Sequence, residues 1–179
     1  MEVQRERVIP NSGASVDDAG DDLDGGDDGH GSACTVCVHC EEEGRAIGPA
    51  PHVEGDIDYA NAPPAGGTHN SCWATWGAHL DEVRPENWVH NLEHGGVVFL
   101  YGCPEGCAAA IARLTTFADA HQRALLTPYR DLPTRFAYVS WGYRLMTDCD
   151  DPSAAQAFYE THLGHGLEDV ASGPPVSCR

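Results

Sequence analysis

The chain has 179 residues, with 28 acidic side chains against ten basic ones and a formal net charge of -18. That balance excludes nucleic acid and anionic membrane as natural partners, because both repel a strongly acidic surface. The length suits one domain with a real core plus a tail.

Eight cysteines form a high and even count. In an exported protein they allow up to four disulfides. No apolar run approaches the ~20 residues of a membrane span. No apolar stretch follows Met1-Glu2-Val3-Gln4-Arg5-Glu6-Arg7 either, so a signal peptide is not visible. The cysteines and the acidic tail still point outside the cytoplasm, to the periplasm, the cell surface or secretion. The export signal is then expected to be missing from this chain or misplaced in it.

In chain order, residues 1–33 read as a disordered Asp/Gly-rich tether, exemplified by Asp17-Asp18-Ala19-Gly20-Asp21-Asp22. Such a segment buries too little apolar surface to offset its ordering entropy. It lacks the closing glutamate of a calcium loop. Residues 34–50 read as a cysteine-rich connector containing Cys34, Cys37, His39 and Cys40. Their spacing is too tight for a standard zinc ribbon, which favours disulfides.

The folded domain is expected over residues 51–179. Pro63 to His69 is a loop by its Pro/Gly content. Arg84-Pro85-Glu86 opens a helix that Gly95-Gly96 ends. Val97 to Tyr101 reads as a buried strand, and Pro104 to Arg123 carries a helical apolar stripe. Strands follow at Leu125-Leu126-Thr127 and at Phe136 to Trp141. Asp151-Pro152-Ser153 then caps a last helix that runs to about Leu163. Gly173-Pro174-Pro175 and Cys178 form a tail. The expected fold class is α+β: a small mixed β-sheet with helices packed on one face, stabilised by disulfides.

The strongest chemical signal is Val89-His90-Asn91-Leu92-Glu93-His94-Gly95-Gly96. Side chains at i and i+4 share one helix face, so His90 and His94 can grip one ion. With His69 at the end of the Pro/Gly loop they offer three imidazoles, suited to copper or zinc. Glu93 is expected to orient an imidazole from outside the ligand set. His79 and Met146 are further candidate ligands, and His162 and His165 are read as structural or surface residues. The order H-x-x-E-H also spells an inverted zinc-protease motif, but Gly95-Gly96 cut the helix at once and argue against that use. No catalytic group is assigned, and the reading leans away from an enzyme.

Cys103 and Cys107 lie between a strand and a helix, where a helix N-terminus stabilises a thiolate. They are expected to form a short-range disulfide or a redox pair. Cys34, Cys37, Cys40, Cys72, Cys149 and Cys178 are the other disulfide candidates. Trp73 and Trp76 follow Cys72, and a tryptophan packed on a disulfide is the plain expectation there.

Several motifs occur in a fixed order: Pro63-Pro64 to His69, Trp76-Gly77, Val89 to Gly95, Pro128-Tyr129 to Leu132-Pro133, and Trp141-Gly142-Tyr143-Arg144-Leu145. In this combination the chain resembles the bacterial domain-of-unknown-function family 3105, over roughly residues 51 to 170. It departs from that pattern at Gly66-Gly67-Thr68, where the family reads Ser-Gly-Pro, and at His79, where a tyrosine is usual. Cys103 and Cys107 look like an addition. The resemblance implies an exported, often membrane-tethered protein, and implies no settled activity. Over Cys103 to Cys107 alone, the chain is similar to the thioredoxin-like, copper-delivering synthesis factors of cytochrome oxidase.

The expected function is therefore an extracytoplasmic, histidine-based metal-binding domain, with copper the first choice of ion and zinc the second. Two alternatives stand beside it. One is a thiol-redox or copper-transfer protein using Cys103 and Cys107. The other is a metal-free structural or interaction domain on the cell surface. The expected partners are a metal ion and a surface tether, with no nucleic acid and no transmembrane segment.

Overall fold

The computed structural model describes residues 36–103 and 105–168. The tether, Cys34, Pro104, the Gly173-Pro174-Pro175 tail and Cys178 lie outside them. In chain order the elements are β1 (Cys40–Gly44), β2 (Gly77–Ala78), α1 (Pro85–Glu93), β3 (Val97–Tyr101), α2 (Ala108–Ala120), β4 (Ala124–Pro128), β5 (Phe136–Ser140), β6 (Tyr143–Thr147) and α3 (Pro152–His162). None of the described helices is long and apolar enough to cross a membrane.

The strands form one mixed six-stranded sheet in the order β1-β6-β5-β3-β4-β2. β3 and β4 run parallel, so a crossover must join them, and α2 supplies it. β5, β6 and β1 continue the sheet antiparallel. Trp141-Gly142 is the tight turn between β5 and β6, and Gly142 takes the positive φ of +84° that such turns demand.

The expected mixed α+β sheet is thus present. Alternation along β3 sends Val97 and Phe99 to one face and Val98 and Leu100 to the other. Leu114 and Ala118 of α2 and Phe158 and Tyr159 of α3 cover the first face. These two helices share a face as expected. α1 lies on the opposite one, where Trp88, Val89 and Leu92 pack against Val98, Leu100, Leu125 and Val139. A sheet whose central strand is buried on both sides needs a cover for each.

The folded region also begins before Pro51. Cys40–Gly44 pairs along its length with β6, from Cys40 opposite Thr147 to Gly44 opposite Tyr143. Glu41-Glu42-Glu43 conceal this strand in the sequence, yet they fit an edge. Glu43 pairs with Arg144, and Glu42 Oε1 lies 2.9 Å from His162 Nε2. A Cys37–Cys149 disulfide fastens the connector to the end of β6. Cys103 and Cys107 are also bonded, Cys40 and Cys72 are in disulfides, and no described cysteine is free.

Asp151 caps α3 by accepting from Ser153 N at 2.9 Å and Ala154 N at 3.2 Å. Gly95, with φ +72°, stops α1 where the sequence places the stop.

Phe99 is fully buried between the rings of Phe117 and Tyr138, each 5.2 Å away. Truncating it leaves a cavity at the centre of the sheet. Phe99→Ala is expected to cost about 3–5 kcal/mol, read as a lowered midpoint in chemical denaturation.

Candidate metal centre

α1 spans nine residues, and Glu86 to Glu93 are all buried. Five of these eight are polar: Glu86, Asn87, His90, Asn91 and Glu93. Burial of so many polar groups requires partners, and the main chain of two loops supplies them. Asn91 bonds both Ala74 N and Ala74 O at 2.9 Å, and Asn87 Nδ2 donates to Cys72 O. Ile57 N donates to Glu86 Oε1 at 2.8 Å. These bonds clamp residues 57–74 over the helix.

The clamp carries two histidines to α1. Val53 N donates to His69 O at 2.8 Å, which sets His52 and His69 side by side. One potential ligand atom from each of His52, His69, His90 and Glu93 then lies within 4.8 Å of the others. Glu93 Oε2 is central. It is 3.0 Å from His69 Nε2, 3.4 Å from His52 Nε2 and 4.0 Å from His90 Nε2.

The opposite ring nitrogens fix which face of each imidazole is available. His69 Nδ1 is 2.7 Å from Gly67 O, and His90 Nδ1 is 2.8 Å from Asn70 O. A carbonyl only accepts, so each Nδ1 donates and each Nε2 turns inward. His69 Nε2 then meets a carboxylate oxygen, a contact that a proton or a cation must mediate. His90 Nε2 is 2.8 Å from His94 Nε2. Two nitrogens bonded at right angles to one ion, each about 2.0 Å away, stand about 2.8 Å apart.

Aromatic rings wall the cluster. Trp73 approaches His94 edge-on at 4.2 Å and His90 at 5.3 Å, while Trp141 stands edge-on to His69 at 6.1 Å. Trp73, expected against a disulfide, lines the histidines. His69 is completely buried, whereas the side chain of His52 is 46% exposed and gives the cluster its solvent side.

Residues Gly164 to Glu168 close the far end. Gly164 N donates to Gly95 O at 2.9 Å, and Glu168 N donates to Glu93 O at 3.0 Å. A Cβ on Gly166 would stand 2.2 Å from Glu93 O, so only glycine permits this approach. Glu93, His94 and Glu168 form a second close group of potential ligands. His94 Nδ1 is buried without a well-formed hydrogen bond among the described residues, although the main chain and carboxylate of Glu168 lie beside it.

His69, His90 and Glu93, named from the sequence, therefore come together with His52, while His94 meets this group at His90 and is itself grouped with Glu93 and Glu168. His79 and Met146 stand apart from them. The His79 ring donates to Thr75 O at 2.8 Å, and Met146 lies on β6 opposite Glu41 and Ala137, facing a hollow shared with His39 and Arg144. His162 is a buried structural residue, stacked on Tyr143 and paired with Glu42. His52 and Glu168 were not foreseen. Neither has a motif around it, and each arrives only through main-chain pairing.

The family model described as a protein of unknown function, DUF3105, matches residues 52–173, more than half of the chain. No curated protein and no solved structure gives a significant match.

Burial pushes the His90 pKa down to about 4, against the pull of the Asn70 carbonyl, and the neighbouring rings of His69, His94 and His52 lower it further. Burial also lowers His94 and His162. An unfolded histidine titrates near ~6.5. Between that pH and about 4 the unfolded chain binds more protons than the folded one, so stability is lost as pH is lowered through this window. Chelator-treated protein is expected to show a lower urea midpoint at the acid end of the window than at neutral pH. His90→Asn is expected to shrink that difference.

Proposed function

We propose that this chain, which belongs to the DUF3105 family of proteins of unknown function, binds one transition-metal ion through the Nε2 atoms of His69, His90 and His94. Glu93 Oε2 lies 3.0 Å from His69 Nε2 and 4.0 Å from His90 Nε2, so we assign it a ligand role rather than the orienting role expected of it. His52 is the exposed member, and its ring is the one that can swing aside to admit the ion.

The observation that carries this reading is the arrangement of the anchored imidazoles. The main chain holds Nδ1 of both His69 and His90, which leaves their Nε2 atoms aimed at one carboxylate oxygen. Metal-binding histidines are oriented in this way by a hydrogen bond at the other ring nitrogen. A set of imidazoles with one carboxylate and no thiolate suits copper(II) or zinc. The 2.8 Å between His90 Nε2 and His94 Nε2 is a hydrogen-bond distance that is also compatible with neighbouring ligands of a tetragonal copper ion, and we keep copper as the first choice. Disulfides are compatible with an oxidising, extracytoplasmic setting, which we include in the proposal.

The test is elemental mass spectrometry of protein purified without chelator, with circular dichroism to confirm folding. About one copper or zinc ion per chain is expected. His69→Ala and His90→Ala should each lose it while remaining folded, and His79→Ala and Met146→Ala should keep it. If native protein carries no ion and takes none up on titration with copper or zinc, the cluster is a hydrogen-bonded core feature and the proposal fails.

A further inference from the structure

We propose that Cys103–Cys107 is a thiol–disulfide exchange centre in which Cys103 is the sulfur attacked and Cys107 the leaving thiolate, stabilised by Arg135. This does not depend on the metal reading, because it concerns the opposite end of β3 and different residues.

The two sulfurs of the bond have different surroundings. Cys107 is 5% exposed and packs into the core face beneath α2. Arg135 is exposed at the surface, and its Nη2 lies 3.0 Å from Cys107 Sγ and also donates to Glu105 O at 3.3 Å, which brings the guanidinium against this sulfur. Cys107 is the N-cap residue of the 13-residue α2, whose first turn contains no acidic side chain to offset the helix dipole. A negative charge on this sulfur is therefore met by a full positive charge and by the helix N-terminus together.

Cys103 is partly exposed and borders a cavity of about 640 Å³, lined among others by Leu80, Tyr101, Tyr129 and Arg130. Its Sγ is 3.4 Å from the Arg135 carbonyl oxygen, an environment that disfavours a thiolate there. An incoming thiolate can thus reach Cys103 while Cys107 is shielded. Exchange is faster when the leaving sulfur is the better-stabilised anion, and the asymmetry gives the pair a direction.

The partner is a cysteine-type thiol, RSH. Its thiolate attacks Cys103 Sγ and forms an RS–S bond. The Cys103–Cys107 bond breaks, and its electron pair leaves on Cys107. A second RSH, as thiolate, then attacks the partner sulfur of the mixed disulfide, releasing RSSR and leaving Cys103 as the departing sulfur. Two thiols are oxidised, one protein disulfide is reduced to two thiols, and the two protons from the substrate thiols are retained by the protein pair or by solvent. A more oxidising disulfide restores the starting state by the reverse exchange.

The experiment equilibrates the full chain in glutathione buffers of graded reduced-to-oxidised ratio, traps thiols by alkylation and maps each cysteine by mass spectrometry. Cys37–Cys149 in the same molecule serves as the internal reference. Cys103–Cys107 is expected to open at ratios at least tenfold milder than Cys37–Cys149. Arg135→Gln should move the equilibrium about tenfold toward the disulfide, and Arg135→Lys, which keeps the charge, should recover most of the shift. A second measurement guards against loss of fold: thiolate absorbance of Cys103→Ser should show Cys107 ionising well below the ordinary thiol range of ~8.5, and Arg135→Gln should remove that effect. If Cys103–Cys107 resists reduction as Cys37–Cys149 does, or if Cys107 titrates as an ordinary thiol with Arg135 present, the pair is a structural staple and the proposal is overturned.

Discussion

The burial of α1 on every side is the constraint from which the rest of this region follows. A nine-residue helix is too short to be stable on its own, and this one places five polar side chains in buried positions. It persists because Trp88, Val89 and Leu92 seat it on the sheet while main-chain groups of the overlying loops bond Glu86, Asn87 and Asn91. The loops that satisfy the helix are also the loops that carry His52 and His69. Stability and site assembly are thereby the same event: a change that loosens the clamp on Asn91 also disperses the imidazoles.

Glycines extend that coupling to the other end of the helix. Gly95 and Gly96 stop α1, and Gly95 also clears the space into which Gly164 brings the segment after α3. A Cβ on Gly96 would collide with Trp76, and one on Gly166 would collide with the main chain of Glu93. The helix end, the indole and the C-terminal segment therefore interlock without side chains between them, and Glu168 is delivered to His94 by backbone contact alone.

Much of this was legible in the sequence, for reasons that differ by element. The bounds of α1 follow from Pro85 and Gly95, which act through local backbone preferences. β3 and β5 are apolar because they are buried on both faces, and α3 announces itself through Asp151-Pro152-Ser153. The triad His69, His90 and His94 could be named because two members share a helix face and the third ends a recognisable loop. What stayed hidden depends on distant pairing. β1 is three glutamates in a row, meaningful only opposite β6. β2 has two residues and no period of its own. His52 joins the cluster through a single bridge to His69, and the face that α1 covers is decided by the alternation of β3 rather than by α1 itself.

The Cys37–Cys149 bond, which spans 112 residues of sequence, has a mechanical consequence. β1 is the edge strand and begins at Cys40, just after the anchored cysteine. A pull on the chain ahead of Cys37 enters the domain through a covalent link to the end of β6, rather than by unzipping β1 one hydrogen bond at a time. The edge of the sheet is thus shielded from tension applied ahead of Cys37.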